Sequence, residues 1–234
     1  MSHVNIFVFC CSMLDAGWPS ETSSPDAMRE EFQILDRAML VDLAERLAET
    51  EGFSVVIHET DEYNLGGMNP SEHRFNRNSQ RRASLSERMA EATARFFLQN
   101  EGSSLVVVYG RNPLFPTETF REMEALLHEE EEVIAITQQR KTRQLPGVVA
   151  VAMRSLHPCL FVATEEKGAH QIEPFLEAQA MLIPVLPTYD FAHPDGLPLL
   201  LHEVERRVLL RQWYPVRTHA ILQTMHRKGV FQKL

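Results

Sequence analysis

Two kinds of hydrophobic pattern alternate along the chain: short continuous apolar runs, and apolar positions recurring every three or four residues. The first run, Val4 to Cys11, predicts a buried strand. From Asp26 to Glu49, Met28, Phe32, Leu35, Met39, Leu43 and Leu47 recur at threes and fours, which predicts an amphipathic helix. Phe53 to Thr60 predicts a second strand, and Leu105 to Tyr109 another. Ser84 to Gln99 between them predicts a helix, with Ser84 as N-cap and Glu87 closing a capping box. Pro116 to Glu130 predicts a further helix, and Val133 to Thr137 and Val148 to Met153 predict strands around a basic turn. A helical stretch over Glu173 to Met181 and a short strand over Ile183 to Leu186 follow. The chain closes with a helix from Asp195 to Trp213, a break at Tyr214-Pro215, and a second short helix to about His226 before Gly229. The segments Ser12 to Asp26 and Tyr63 to Arg82 are poor in apolar residues and rich in Ser, Pro, Gly, Asp and Asn, and they read as loops.

Strands alternating with helices predict a three-layer, Rossmann-like α/β fold: a mostly parallel sheet with helices on both faces. In such sheets a ligand lies beyond the carboxyl ends of the strands. A chain of 234 residues with 44% hydrophobic content has enough apolar material for a packed core, which excludes global disorder. No apolar run approaches the length of a membrane span, and VNIFVF at the start lacks the charged flank of a signal peptide. The expectation is an intracellular protein, cytoplasmic in the first instance, with a mitochondrial location left open. Cys10, Cys11 and Cys159 form an odd set, and neighbours on a strand point to opposite faces, so they read as buried thiols.

Charge is unevenly placed. Residues 206–234 hold Arg206, Arg207, Arg211, Arg217, Arg227, Lys228 and Lys233 and no acid, so this segment is +7 and the remainder is −16 against a net −9. An acidic body with a basic tail calls for an acidic partner, for self-association, or for solvation of the charge. Trp213, Tyr214, Ile221, Leu222, Met225 and Phe231 lie among those cations, and aromatic and Arg side chains serve well as interface anchors. We therefore expect a protein partner to be contacted through Arg211, Trp213, Tyr214, Arg217, Arg227 and Lys228; folding back on the body is the other reading. Arg74, Arg77, Arg81 and Arg82 with Phe75 form a second basic stretch, able to meet RNA phosphates, although overall acidity argues against a broad nucleic-acid surface. Arg81-Arg82-Ala83-Ser84 also fits a basic-directed phosphorylation site.

Several short stretches, in order, carry a resemblance. ASLSERMAEA (Ala83 to Ala92), RNPLFPTE (Arg111 to Glu118), HPCLF (His157 to Phe161) and LPTYDFAHPDGL (Leu186 to Leu197) resemble motifs of bacterial glycosyltransferase-A-like proteins. These are members of the nucleotide-diphospho-sugar transferase superfamily related to the molybdenum-cofactor and phospholactate guanylyltransferases. The resemblance covers roughly residues 4–205. It implies a glycosyltransferase-A-type domain over 1–205, with 206–234 as a basic helical extension.

The same resemblance implies that the chemistry has been altered. The family's phosphate loop, which ends in Lys-Thr-Arg, corresponds to Cys10 to Pro25, which holds Asp15 and Glu21 and no Lys or Arg. The family's metal-binding Asp corresponds to Arg111, or to Asn112 with a gap, and an Arg offers only donors to a cation. The acidic Gly-Gly segment is replaced by Thr137 to Gly147, without an acid, and the second Asp of the last motif is Ala192. The resemblance therefore implies a degenerate relative, a structural or adaptor subunit needing no cofactor.

The alternative is a nucleotide- or sugar-nucleotide-dependent transferase using Mg²⁺ or Mn²⁺. Its candidate catalytic residues are Asp190, His193 and Asp195, with Asp190 as metal ligand and Arg88, Arg111 and Asn112 as nucleotide contacts. Set against this, Asp190 caps a turn and Asp195 starts the last helix. Arg111, Arg140, Lys141 and Arg143 could also form a metal-free anion site, or remain solvated loop charge.

Overall fold

The structure, a computed structural model, describes residues 4–9, 26–60, 76–80, 85–109, 112–127, 132–137, 147–156, 181–185 and 196–232. Seven strands are described: β1 (Val4–Phe9), β2 (Phe53–Thr60), β3 (Asn76–Gln80), β4 (Leu105–Tyr109), β5 (Glu132–Thr137), β6 (Gly147–Met153) and β7 (Met181–Val185). They form one sheet in the order β3-β2-β1-β4-β6-β5-β7. Neighbours are parallel except that β6 runs antiparallel to both β4 and β5, so the sheet is mostly parallel, as the sequence predicts. The helices are α1 (Asp26–Glu49), α2 (Leu85–Gln99), α3 (Thr117–Leu126), α4 (Leu197–Leu209) and α5 (Val216–Arg227), followed by a 3-10 turn over Val230–Gln232.

Strand alternation sorts the core into two faces. Val4, Ile6 and Val8 of β1, Val55 and Ile57 of β2, and Val106 and Val108 of β4 pack against α1 and α3. Phe7, Phe9, Leu105 and Val107, pointing the other way, pack against Met89, Ala92 and Phe96 of α2. Burial on both faces explains why these strands read as continuous apolar runs rather than alternating ones.

Three expectations need correction. β3 lies inside the segment read as a loop. Its residues, NRNSQ, carry no apolar signal, and it is a strand because its backbone pairs with β2 at the sheet edge. β7 begins at Met181 rather than Ile183; the helix expected before it, from Glu173, lies outside the described residues apart from Met181 itself. α4 spans Leu197–Leu209 rather than Asp195 to Trp213. Its end is set by Arg211, whose φ of 54° is left-handed. The Arg211 N–H donates to the Val208 carbonyl at 3.1 Å and the Gln212 N–H to the Arg207 carbonyl at 3.0 Å, a Schellman motif with Arg where Gly is usual. Residue 205, after which a boundary is expected, lies on α4.

α1 is covered on two sides rather than one. Leu40, Val41, Leu43, Ala44 and Leu47 face the sheet. Phe32, Leu35 and Met39 belong to a third cluster with Leu114, with Leu197, Leu200, Leu201 and Val204 of α4, and with Leu222, Met225 and Val230. Helices of 13 and 12 residues are marginal alone, so α4 and α5 depend on this packing.

One buried carboxylate locks the layer. Asp42, in the middle of α1, is 4% exposed. Its Oδ2 accepts hydrogen bonds from the Thr218 backbone N–H and from Thr218 Oγ1, both at 2.8 Å. Thr218 is the third residue of α5, one of the four amides a helix leaves unpaired, and α5 begins after Pro215 with no side-chain cap of its own. Asp42 is thus an N-cap supplied from another helix, a carboxylate placed at the positive end of the α5 dipole. Arg217 donates to Asp42 Oδ1 at 3.1 Å and bidentately to Glu45 at 2.6 and 2.9 Å. Burial pushes the Asp42 carboxyl above its usual range, while the bonds from Thr218 and Arg217 pull it back. The bonds to Glu45 hold the Arg217 guanidinium more firmly protonated still.

Replacing Asp42 by Ala strands the Thr218 donors and should cost about 3 kcal/mol of stability in urea unfolding. Glu45→Ala, which removes the more solvated acceptor, should cost under about 1 kcal/mol; equal losses would show that the cap is not the lock. Arg211→Gly should raise stability by about 1 kcal/mol by relieving the left-handed backbone.

Candidate functional site at the carboxyl edge

Registers set the carboxyl ends of the central parallel strands side by side. Phe9 pairs with His58 on β2 and with Tyr109 on β4. The described side chains around this edge are Phe9, His58, Glu59, Arg88 and Asn112, all buried. His58 and Glu59 were missed by the sequence reading. Their only signal is the polar end of the apolar run FSVVIHET, where a buried strand reaches the ligand edge of the sheet.

The His58 ring stacks on Phe9 with centroids 4.5 Å apart and planes 12° apart, and it touches Phe7 at the same distance. Phe7 meets Phe96 of α2 edge to face at 5.4 Å. His58 is 2% exposed. Its pKa is lowered to about 4, first by burial and then by the charges of Arg88 and Arg95, so it is neutral at physiological pH. Glu59, one position on, follows Val55 and Ile57 onto the α1 side of the sheet.

Asn112 fills a structural role. Its Oδ1 accepts the Leu114 N–H at 2.9 Å, and its backbone carbonyl accepts the Phe115 N–H at 3.1 Å. The side-chain oxygen expected to face a nucleotide therefore closes its own turn, an Asx turn. Arg46 of α1 steadies the same loop, donating to the Phe115 carbonyl at 3.3 Å. Its guanidinium also lies over the Trp213 ring, 4.4 Å from the centroid, so it bridges the turn to the C-terminal corner.

Of the other expected site residues, Arg88 is on α2 beside His58, whereas Arg111, Asp190, His193 and Asp195 lie outside the described residues, as do Arg140, Lys141 and Arg143. Arg74, Arg81 and Arg82 also lie outside them, and Arg77 falls on β3. Among the described residues, no three His, Cys, Asp or Glu side chains converge as a metal-ligand set. The described part of the edge offers one carboxylate, Glu59, together with an arginine, a stacked neutral imidazole and an amide oxygen already engaged, whereas a hard ion is usually held by several charged oxygens.

The expected partner contacts divide. Arg217 and Lys228 are committed to the chain itself, the first to Asp42 and Glu45 and the second to Glu31 of α1, because the acids of α1 face α5 and its C-terminal end. Tyr214 is half-buried, 5.6 Å from the His219 ring. Arg211 and Arg227 are exposed, and Trp213 is partly exposed beneath Arg46. Among the described residues, no helix is long and apolar enough to cross a membrane.

No protein-family model matches the chain, and no curated protein matches it in sequence. Solved structures do match in fold. A protein of Desulfovibrio desulfuricans G20, provisionally described as a nucleotide-diphospho-sugar transferase, superposes with a TM-score of 0.67 at 16% identity. The match covers 100% of this chain and 98% of that one. A 4-diphosphocytidyl-2C-methyl-D-erythritol synthase matches with a TM-score of 0.51 at 8% identity, over 79% of this chain and 90% of its own. The bifunctional IspDF of Campylobacter jejuni matches with a TM-score of 0.53 at 9% identity, over 84% of this chain and 54% of its own. The chain has the fold of nucleotide-diphospho-sugar transferases.

A neutral, buried His58 stabilises the fold only while it stays uncharged. With the folded pKa below the ordinary value of 6.5, its contribution is complete above about pH 6.5 and is lost as pH falls towards 4. The loss should be about 3 kcal/mol over that window. His58→Phe should remove this part of the pH dependence in urea unfolding; an unchanged slope would place the imidazole in water.

Proposed function

We propose that this chain is a transferase-fold protein without metal-dependent transfer chemistry, serving as a structural or adaptor subunit of a larger assembly. The observation that carries the reading is the turn after β4. At the place where the resemblance expects a metal-binding carboxylate, the chain has Arg111 and Asn112, and the Asn112 oxygen is bonded to Leu114 at 2.9 Å. Nucleotidyl and glycosyl transfer depend on neutralising phosphate charge. The loop after β1 carries Asp15 and Glu21 with no Lys or Arg to do so. The aromatic stack of Phe7, Phe9 and His58 supports the same reading, since it gives this edge a packing role. The partner is a protein, met through the C-terminal segment, and no cofactor is required.

The competing reading, an active transferase with Asp190 as metal ligand beside His193 and Asp195, draws on the full-length fold match to a protein described as a sugar-nucleotide transferase. Thermal unfolding with nucleotides and sugar nucleotides, with and without Mg²⁺ or Mn²⁺, separates the two. A ligand at a hundredfold its Kd adds about 2.7 kcal/mol, which is about 5–10 °C in midpoint for a chain of this size. The non-catalytic reading expects no metal-dependent shift. A shift of that size that is lost in Asp190→Ala would overturn it.

A further inference from the structure

The corner between α4 and α5 exposes large apolar side chains that the rest of the described surface mostly buries. Leu209 is 83% exposed, Val216 60% and Leu210 54%, with Trp213 beside them. All four lie within eight residues of chain around a single break in the helical layer. Scattered apolar residues need no explanation, but a group on one corner does.

The backbone adds an independent observation. Arg211, at the centre of the corner, occupies the left-handed position of the Schellman motif, where Gly would be less strained. The hydrophobic contact that often accompanies this motif is missing, because its two positions are Arg207 and Gln212. An arginine kept there at a cost in stability places a guanidinium between Leu210 and Trp213 in the sequence of the corner. It makes no hydrogen bond or ion pair among the described residues. Its neighbours are spoken for: Arg206 and Arg207 both bond Glu203, and Arg217 bonds Asp42 and Glu45. Arg46, over Trp213, adds a second cation, its pKa lowered first by burial and then by repulsion from Arg207 and raised by Glu118.

We propose that this corner is a docking surface for a short acidic amphipathic segment of a partner protein, with leucine-like side chains set on Leu209, Leu210, Trp213 and Val216 and a carboxylate on Arg211. The partner's chemistry follows from charge. Residues 206–234 carry seven cations and no acid, so a second copy meeting the corner face to face would oppose arginine to arginine. An anionic lipid surface is broad enough to meet the other 205 residues as well, which carry −16, whereas a short peptide contacts the corner alone. An acidic peptide satisfies both the apolar group and the unpaired guanidinium, with Trp and Arg as anchors. The surface deepens the adaptor reading and rests on it for its biological purpose.

The test uses the full chain with Trp18→Phe, which leaves Trp213 as the sole tryptophan of the two in the sequence. A random peptide library is selected on this protein, and the best binders are titrated by Trp213 fluorescence. The expected binders are net acidic with paired apolar residues, and they shift Trp213 emission to the blue. Arg211→Glu and Leu210→Asp should each weaken them by about tenfold or more. Arg211→Gly should weaken them too without lowering the unfolding midpoint, which separates loss of the contact from loss of the fold. Neutral or basic binders, or acidic binders indifferent to Arg211→Glu, would overturn the proposal. So would a Trp213 shift produced by phosphatidylserine vesicles in place of peptides, or self-association abolished by Arg211→Glu. None of these outcomes alters the nucleotide and metal response of the carboxyl edge, so failure of the corner and failure of the non-catalytic reading are told apart.

Discussion

The arrangement of this molecule depends on a carboxylate inside its central helix. Asp42 is buried between the sheet layer and the C-terminal helices, and it caps α5 through Thr218 while holding Arg217 against Glu45. A buried charge is stabilising only when its hydrogen bonds are complete, and here the receiving groups are the free amide of a helix start, a hydroxyl and a guanidinium. The constraint is directional as well as energetic. Apolar packing among Phe32, Leu35, Met39, Leu200 and Leu222 tolerates small slides, whereas the Asp42 bonds fix which turn of α5 faces which turn of α1. The C-terminal helices are therefore tied to α1 beside its sheet-facing side, and their cations divide into those spent inside and those left for solvent.

That division shapes the functional reading. Arg217 and Lys228 neutralise acids of α1, so the +7 of the tail overstates the charge it offers to a partner. Arg211 is exposed at the α4–α5 corner, next to Leu209, Leu210 and Val216, and Arg227 is exposed at the other end of α5. Arg46 joins this corner to the carboxyl edge. One guanidinium donates to the Phe115 carbonyl in the turn after β4 and covers Trp213. A ligand pressing on Trp213 would thus act on the same residue that steadies the turn closed by Asn112.

At the carboxyl edge, two described polar side chains serve packing and turn closure. His58 is neutral, stacked on Phe9 and in contact with Phe7, and Asn112 closes a turn on itself.

The strands of the core and the helix over Asp26 to Glu49 were legible in the sequence because burial on two faces writes continuous apolar runs and regular periodicity. The alternation of strands with helices then indicated a mostly parallel sheet. β3 was not legible, since its pairing is made by backbone groups alone and NRNSQ carries no hydrophobic signal. Nor could periodicity show that α1 has two covered sides, or that Asp42 within LVDLA meets an amide 176 residues away. Local sequence determines which segments become strands and helices, because propensity and patterning act over a few residues. Only the tertiary structure decided which charges are consumed internally, because that depends on contacts between parts of the chain that sequence distance does not relate.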